Sequence, residues 1–179
     1  AYEVQAAWAD TFQLAEGGAW DQAAYASIAS PLGAGKVMGL SEEQLAEALR
    51  ISVVSSMTLG EARRGTISHW KAAAVPNAAR NGVFAAMLAQ RGMTGPSEVF
   101  AGTHGFFVGV TGRPVDLMPL SGETSNVQQF RIMESRVKRF PAGFVSQTAI
   151  EGAIEAREKL GITSGKQIKS VRVQTFESG

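Results

Sequence analysis

No cysteine occurs in these 179 residues, which excludes a disulfide framework, a thiolate nucleophile, a zinc ribbon and a cysteine-ligated iron–sulfur cluster. Histidine is nearly as scarce, His69 and His104 being the only two. They stand in no i, i+4 relation and have no carboxylate pattern beside them, so no metal ligand set is expected. An excess of one charge is missing too: 17 Lys and Arg against 16 Asp and Glu leave a formal charge of +1. That gives no basic field for nucleic acid and no acidic field for a basic partner. No apolar run is long enough to cross a bilayer, and the N-terminus has neither a basic n-region nor a following apolar h-region. A cytoplasmic protein without membrane or nucleic-acid partners is the expectation. A G-x-S-x-G nucleophile elbow is also absent. The run GAGKVMG at 33–39 suggests a phosphate loop, but Lys36 is followed by Val and no strand precedes the glycines. Its glycines are read as sites of close helix packing.

What remains is a composition of 45% hydrophobic and 18% charged residues with 20 glycines and 6 prolines, that of an Ala- and Gly-rich globular protein. In AYEVQAAWADTFQLAEGG, Val4, Trp8 and Phe12 recur every four residues before Gly17–Gly18, an amphipathic helix with a glycine stop. YASIASPLGAGKVMG is built of small residues and predicts a helix packed close to a neighbour. Pro31 either kinks it or starts a shorter helix with Ser30 as cap. LSEEQL carries a capping box, Ser41 with Gln44, and a hydrophobic staple, Leu40 with Leu45. The helix after it should run to about Met57. LGEARRGTIS reads as a loop, and 76–91 as a long helix ending at Gly92. MTGPSEVFAGTHGFF is turn-rich, with His104 a turn residue. SQTAIEGAIEAREKLG predicts a helix with Ala149, Ile150, Ala153, Ile154 and Leu160 on one side. QIKSVRVQTF alternates as a half-buried strand. The order suggests a mainly α domain over 1–135 followed by the start of an α+β domain over 136–179. Because the chain opens inside a helical pattern and closes on a strand-like run, we read it as an internal stretch of a longer protein.

Chemistry centres on Lys71. On a helix running from Ser68, it would share a face with Val75, Ala78 and Gly82. If Pro76 instead starts the helix, Lys71 lies just before an N-terminus, where it and free N–H groups could both meet an anion. From pattern alone a solvated lysine is the simpler reading. Arg63 and Arg64, and Arg136, Lys138 and Arg139, form two further cationic clusters. Were they to meet, they would suit a polycarboxylate.

Three stretches, WDQAAYASIASPLGAGKVMGLSEEQLAEAL, RRGTISHWKAAAVPNAARNGVFAAMLAQRGMTGPSEVFAG and KRFPAGFVSQTAIEGAIEAREKL, resemble successive signatures of the MmgE/PrpD family, in its order and spacing. The family includes 2-methylcitrate dehydratase, the nearest branch, and cis-aconitate decarboxylase. The resemblance implies a mainly α fold: a large all-helical domain followed by a smaller α+β lid, with a site between them and a homodimeric assembly. It implies a metal-free, cofactor-free acid/base elimination of water from a small tricarboxylate. Lys71 and Lys138 match the family's site lysines and are expected to be catalytic. Arg63 and Ser68 match its R-x-G-x-x-S-x-W-K pattern, and with His69 and Gln22 they are expected to bind substrate. Three positions depart from it. Gln22 and Val145 stand where the dehydratase branch usually has histidine, and Gly143 where it has Glu. Glutamine does not cycle a proton near neutral pH. A repurposed, non-catalytic member, or a decarboxylase or isomerase, is therefore the alternative.

Overall fold

The computed structural model describes residues 1–11, 14, 19–112 and 130–174. They divide into two compact units, Ala1–Glu134 and Ser135–Gly179. Both are helical, and no strand forms among the described residues. The first unit holds α1 (Tyr2–Thr11), α2 (Ala23–Val37), α3 (Glu42–Ser55) and α4 (Trp70–Gln90), with a 3-10 turn at Gly60–Arg63 and a π-helical turn at Phe107–Thr111. The second holds α5 (Ser146–Lys159) and a 3-10 turn at Gly165–Gln167.

α2 is one continuous helix with Pro31 inside it, so Pro31 does not start a shorter helix as the second of the two expectations had it. Pro31 has no N–H to give the Ser27 carbonyl one turn earlier. The Ser52 hydroxyl of α3 donates to that carbonyl instead, at 2.6 Å. Ser30 is not a cap; its hydroxyl donates across to Ala79 O of α4, 2.7 Å. α3 begins as its sequence dictates. Ser41 Oγ accepts from Gln44 N, and the Gln44 side chain accepts from Ser41 N, a complete capping box. Leu40 and Leu45 lie in one apolar cluster beneath it, and the helix ends at Ser55, two residues early.

α4 departs most from expectation, starting at Trp70 rather than Pro76. Pro76 lies inside α4 and helix continues through it; Pro76 and Ala72, whose carbonyl loses its helical partner to the proline, are both exposed residues. The buried stripe of α4 is Ala74, Ala78, Gly82, Ala85, Ala86 and Ala89. Small side chains let it approach α2 closely. A Cβ on Gly82 would lie 2.7 Å from Pro31 Cδ and from Ser30 Cβ. Ala23 and Ala26 pack with Ala74 and Ala78 at one end of the pair, and Ser30 meets Ala79 farther along, so α2 and α4 run parallel. α3 runs antiparallel to both, with Leu45 against Gly35, Ser52 against Ser27, and Glu47 against Gly95 beyond the end of α4.

The second core lies under α1. Trp8 stacks on Phe107 at 6.1 Å between centroids and meets Phe106 edge-on, with Ile28, Val53 and Val99 around them. Trp8 and Val4 thus face inward as their spacing predicts, whereas Phe12 and Gly17–Gly18 lie outside the described residues. His104 is exposed in a turn, as expected.

In the second unit, α5 stops where Gly161 takes φ +62°, but none of the described residues from 135 to 174 is buried. The expected strand does not form over its described residues. Residues 168–174 are irregular, Val171 and Val173 are 75% and 62% exposed, and the rest of that run lies outside the described residues. A strand is held by a pairing partner, and the described residues supply none.

Candidate functional site

Because α2 and α4 are parallel, their N-termini share one end of the first unit, and five of the expected site residues gather there. Gln22 is the exposed N-cap of α2, and Ser68, His69 and Lys71 lie at the start of α4. Arg63 comes from the 3-10 turn between α3 and α4. The chain ahead of α2 is tied to that turn by a short antiparallel bridge, Trp20 with Leu59. Within it Asp21 N donates to Thr58 O and Gly60 N to Ala19 O, both 2.8 Å.

Asp21, which the sequence reading passed over, is the centre of this end. Its carboxylate is fully buried. Oδ1 accepts from Ala23 N at 2.7 Å, capping α2. Oδ2 accepts from Arg63 Nε, and Arg63 Nη2 reaches Oδ1 at 3.2 Å. A buried carboxylate needs such partners, since an unpaired charge there would be expelled. The available signal was an Asp two residues ahead of a helical run, a capping position. Arg63 therefore has two of its donors directed at Asp21, while about a third of its side chain, 36%, stays exposed.

Lys71 is the second residue of α4. Its backbone N–H is satisfied by Ser68 O, 3.2 Å, and no ion pair engages its ammonium among the described residues. By helical spacing it continues the buried stripe that runs Ala74, Ala78, Gly82. Past Ala74 the stripe emerges from the bundle, so Lys71 is exposed. Val75, expected on that face, lies at its margin, 38% exposed. Two parallel helix starts beside a lysine make this end attractive to an anion. Trp70, together with Glu61, Asn77 and Asn81, lines a groove of about 430 Å³ that Lys71 does not line.

Lys138 belongs to the second unit. It is exposed, in the loop before α5, with no ion pair among the described residues. Its neighbour Arg139 is paired with Glu151 and lies over the Phe140 ring at 5.5 Å. The loop is gripped by Gln147, which the sequence reading also left without a role. Val145 is half exposed at the α5 N-cap, and a Cβ on Gly143 would meet only Ser146 Oγ, at 3.6 Å. No group of three or more His, Asp and Glu forms a metal site among the described residues. Among the described residues, no helix is long and apolar enough to cross a membrane.

Compared with known proteins, residues 1–117 match the MmgE/PrpD N-terminal domain. Over 151 residues the chain is 34% identical to a Saccharomyces cerevisiae protein named "Probable 2-methylcitrate dehydratase". That match covers 80% of this chain and 28% of the relative, so the chain spans less than a third of the relative's length.

Proposed function

The chain belongs to the MmgE/PrpD family, and from that membership we propose a dehydratase-like lyase that removes water from a small tricarboxylate such as 2-methylcitrate. Lys71 carries the reading. It is an exposed ammonium, unpaired among the described residues, at the shared start of two parallel helices. In the elimination a base takes the proton on the carbon beside a carboxylate. That C–H pair becomes the double bond, and the hydroxyl on the adjacent carbon leaves with a proton from an acid. Negative charge grows on the neighbouring carboxylate as the proton departs, and cations aimed at it lower the barrier. We assign that work to Lys71 and Lys138, with Lys71 also a candidate for the proton transfer. Arg63 offers substrate what Asp21 leaves free, and Ser68, His69 and Gln22 supply hydrogen bonds. Homodimeric assembly and a cytoplasmic location go with this proposal.

A second reading, a repurposed member without this activity, is favoured by one observation: Gln22 and Val145 both stand exposed at helix N-caps, and neither transfers protons. To separate the two, this chain is grafted in place of the matching stretch of the yeast relative. Water loss from 2-methylcitrate and citrate is then followed by NMR. The dehydratase reading expects turnover that falls about a hundredfold or more in Lys71→Ala, the scale of losing one charge-stabilising group. Full activity in Lys71→Ala sinks it. Turnover that appears only after Gln22→His and Val145→His supports the second reading.

A further inference from the structure

The loop at 138–143 is held by two residues one turn apart on α5. Gln147 Oε1 accepts from Phe140 N at 2.9 Å, and Gln147 Nε2 donates to Phe140 O at 3.0 Å. The side-chain amide thus pairs with both polar groups of one backbone residue, as a neighbouring strand would. Nε2 also lies 3.3 Å from Ala142 O and from Gly143 O. One side chain therefore accepts from one backbone N–H and shares its two N–H donors among three carbonyls of a segment that has no regular structure. One turn along, Glu151 takes the Arg139 guanidinium. Of the two adjacent cations, this withdraws Arg139 and leaves Lys138 directed at solvent.

We infer that Gln147 is the positioning residue for Lys138: its amide fixes the backbone of the Phe140–Gly143 turn, so that Lys138 projects from a rigid base while Glu151 keeps Arg139 from competing. The inference rests on the proposed role of Lys138 in binding a carboxylate, but its structural half stands apart from that role. Glutamine is required because the site asks for acceptor and donor together. Glutamate keeps the acceptor for Phe140 N but, when ionised, faces three carbonyl oxygens with no proton to offer. Protonated, it regains an O–H donor. Gln147→Glu is therefore a variant whose loop should be loose at neutral pH and re-form on acidification, whereas Gln147→Ala cannot recover.

The test uses the 179-residue chain. Hydrogen exchange at Phe140 N–H is measured by NMR for the wild type, Gln147→Ala and Gln147→Glu at neutral and mildly acidic pH, beside a citrate titration followed at the Lys138 side chain. The inference expects Phe140 protection to fall at least about tenfold, one factor of ten being about 1.4 kcal/mol, in both variants at neutral pH. It should return on acidification in Gln147→Glu alone, with the citrate-induced shift at Lys138 weakening and recovering in step. Unchanged protection in Gln147→Ala, or no recovery in Gln147→Glu, overturns the positioning role. Protection that behaves as expected while citrate never perturbs Lys138 in the wild type overturns instead the carboxylate-binding role on which the inference was built. Helicity by circular dichroism, unchanged across the set, separates a loosened loop from an unfolded α5.

Discussion

Ser52 shows how a single hydroxyl decides whether a helix survives. The Ser27 carbonyl is buried and loses its helical partner to Pro31, so the Ser52 hydroxyl is its donor. Ser52→Ala should destabilise the first unit by about 1–3 kcal/mol, the range for a buried polar group left unsatisfied. Adding Pro31→Ala, which restores an N–H one turn on, should recover part of that loss. Denaturant midpoints of the two single variants and the double variant check this, and strict additivity would refute it. Asp21 makes the same point with charge. Arg63→Ala strands a fully buried carboxylate and should cost about 3 kcal/mol, the lower end for breaking a buried pair, because Arg63 itself is partly exposed. Asp21→Asn with Arg63→Ala should be milder than Arg63→Ala alone, again read from unfolding midpoints. Neither contact was legible beforehand. A sequence displays an Asp near a helix start and an Arg 42 residues later, but pairing across that separation is set by how α2, α3 and α4 pack.

At the scale of elements, α3 is the most legible and α4 the least. The start of α3 depends on residues within a few positions of one another, so Ser41, Gln44, Leu40 and Leu45 announce it directly. The start of α4 depends on whether an interior proline is tolerated, which turns on the surroundings of the carbonyl one turn earlier, and local sequence does not give those. Between these helices, Glu47 of α3 accepts from Gly95 N at 2.7 Å and pairs with Arg50 at 2.6 Å. The Gly95 N–H is the main reason its carboxyl titrates below the ordinary 4.5; partial desolvation opposes the shift, and Arg50 adds to it. A carboxylate with a lowered folded pKa contributes stability that is complete above its unfolded value and disappears as pH falls through the folded one. Acidification below the ordinary value should therefore weaken the α3–α4 contact. Glu47→Gln should remove that part of the acid dependence, measured as the urea midpoint against pH. An equal pH slope in Glu47→Gln would refute it. Gly95 has no room for a side chain, since a Cβ there would lie 2.6 Å from Arg50 Cβ and 2.8 Å from Ile51 N. Gly95→Ala should lower stability by about 1–3 kcal/mol through overpacking against backbone, visible as a reduced melting temperature.

For the whole molecule, every buried residue described lies in Ala1–Glu134, and none lies in the described part of Ser135–Gly179. Residues 1–134 expressed alone should therefore melt cooperatively, at nearly the temperature of the full chain. Residues 135–179 alone should show no cooperative transition by circular dichroism, because none of their described residues is fully buried to offset the chain entropy. A cooperative melt of the short piece would contradict this. α4 adds a feature of the same scale: Val83, Phe84 and Met87 are about half exposed opposite its alanine stripe, giving it apolar character on both sides. The sequence by itself determined the family and the presence of most helices, though not the start of α4. Capping boxes, four-residue spacing and small-residue runs act over a few positions, and the signatures around Trp70–Lys71 and Lys138–Pro141 are contiguous strings. Tertiary structure alone decided that α2 and α4 lie parallel, gathering Gln22, Arg63 and Lys71 at one end, and that Asp21 holds Arg63 while Gln147 and Glu151 leave Lys138 free. Residues 168–174 form no strand, for want of a pairing partner among the described residues. The contacts of the first unit depend on which distant group reaches a buried polar atom, settled only when helices pack; those of Gln147 and Glu151 depend on how the 138–143 loop folds back on α5.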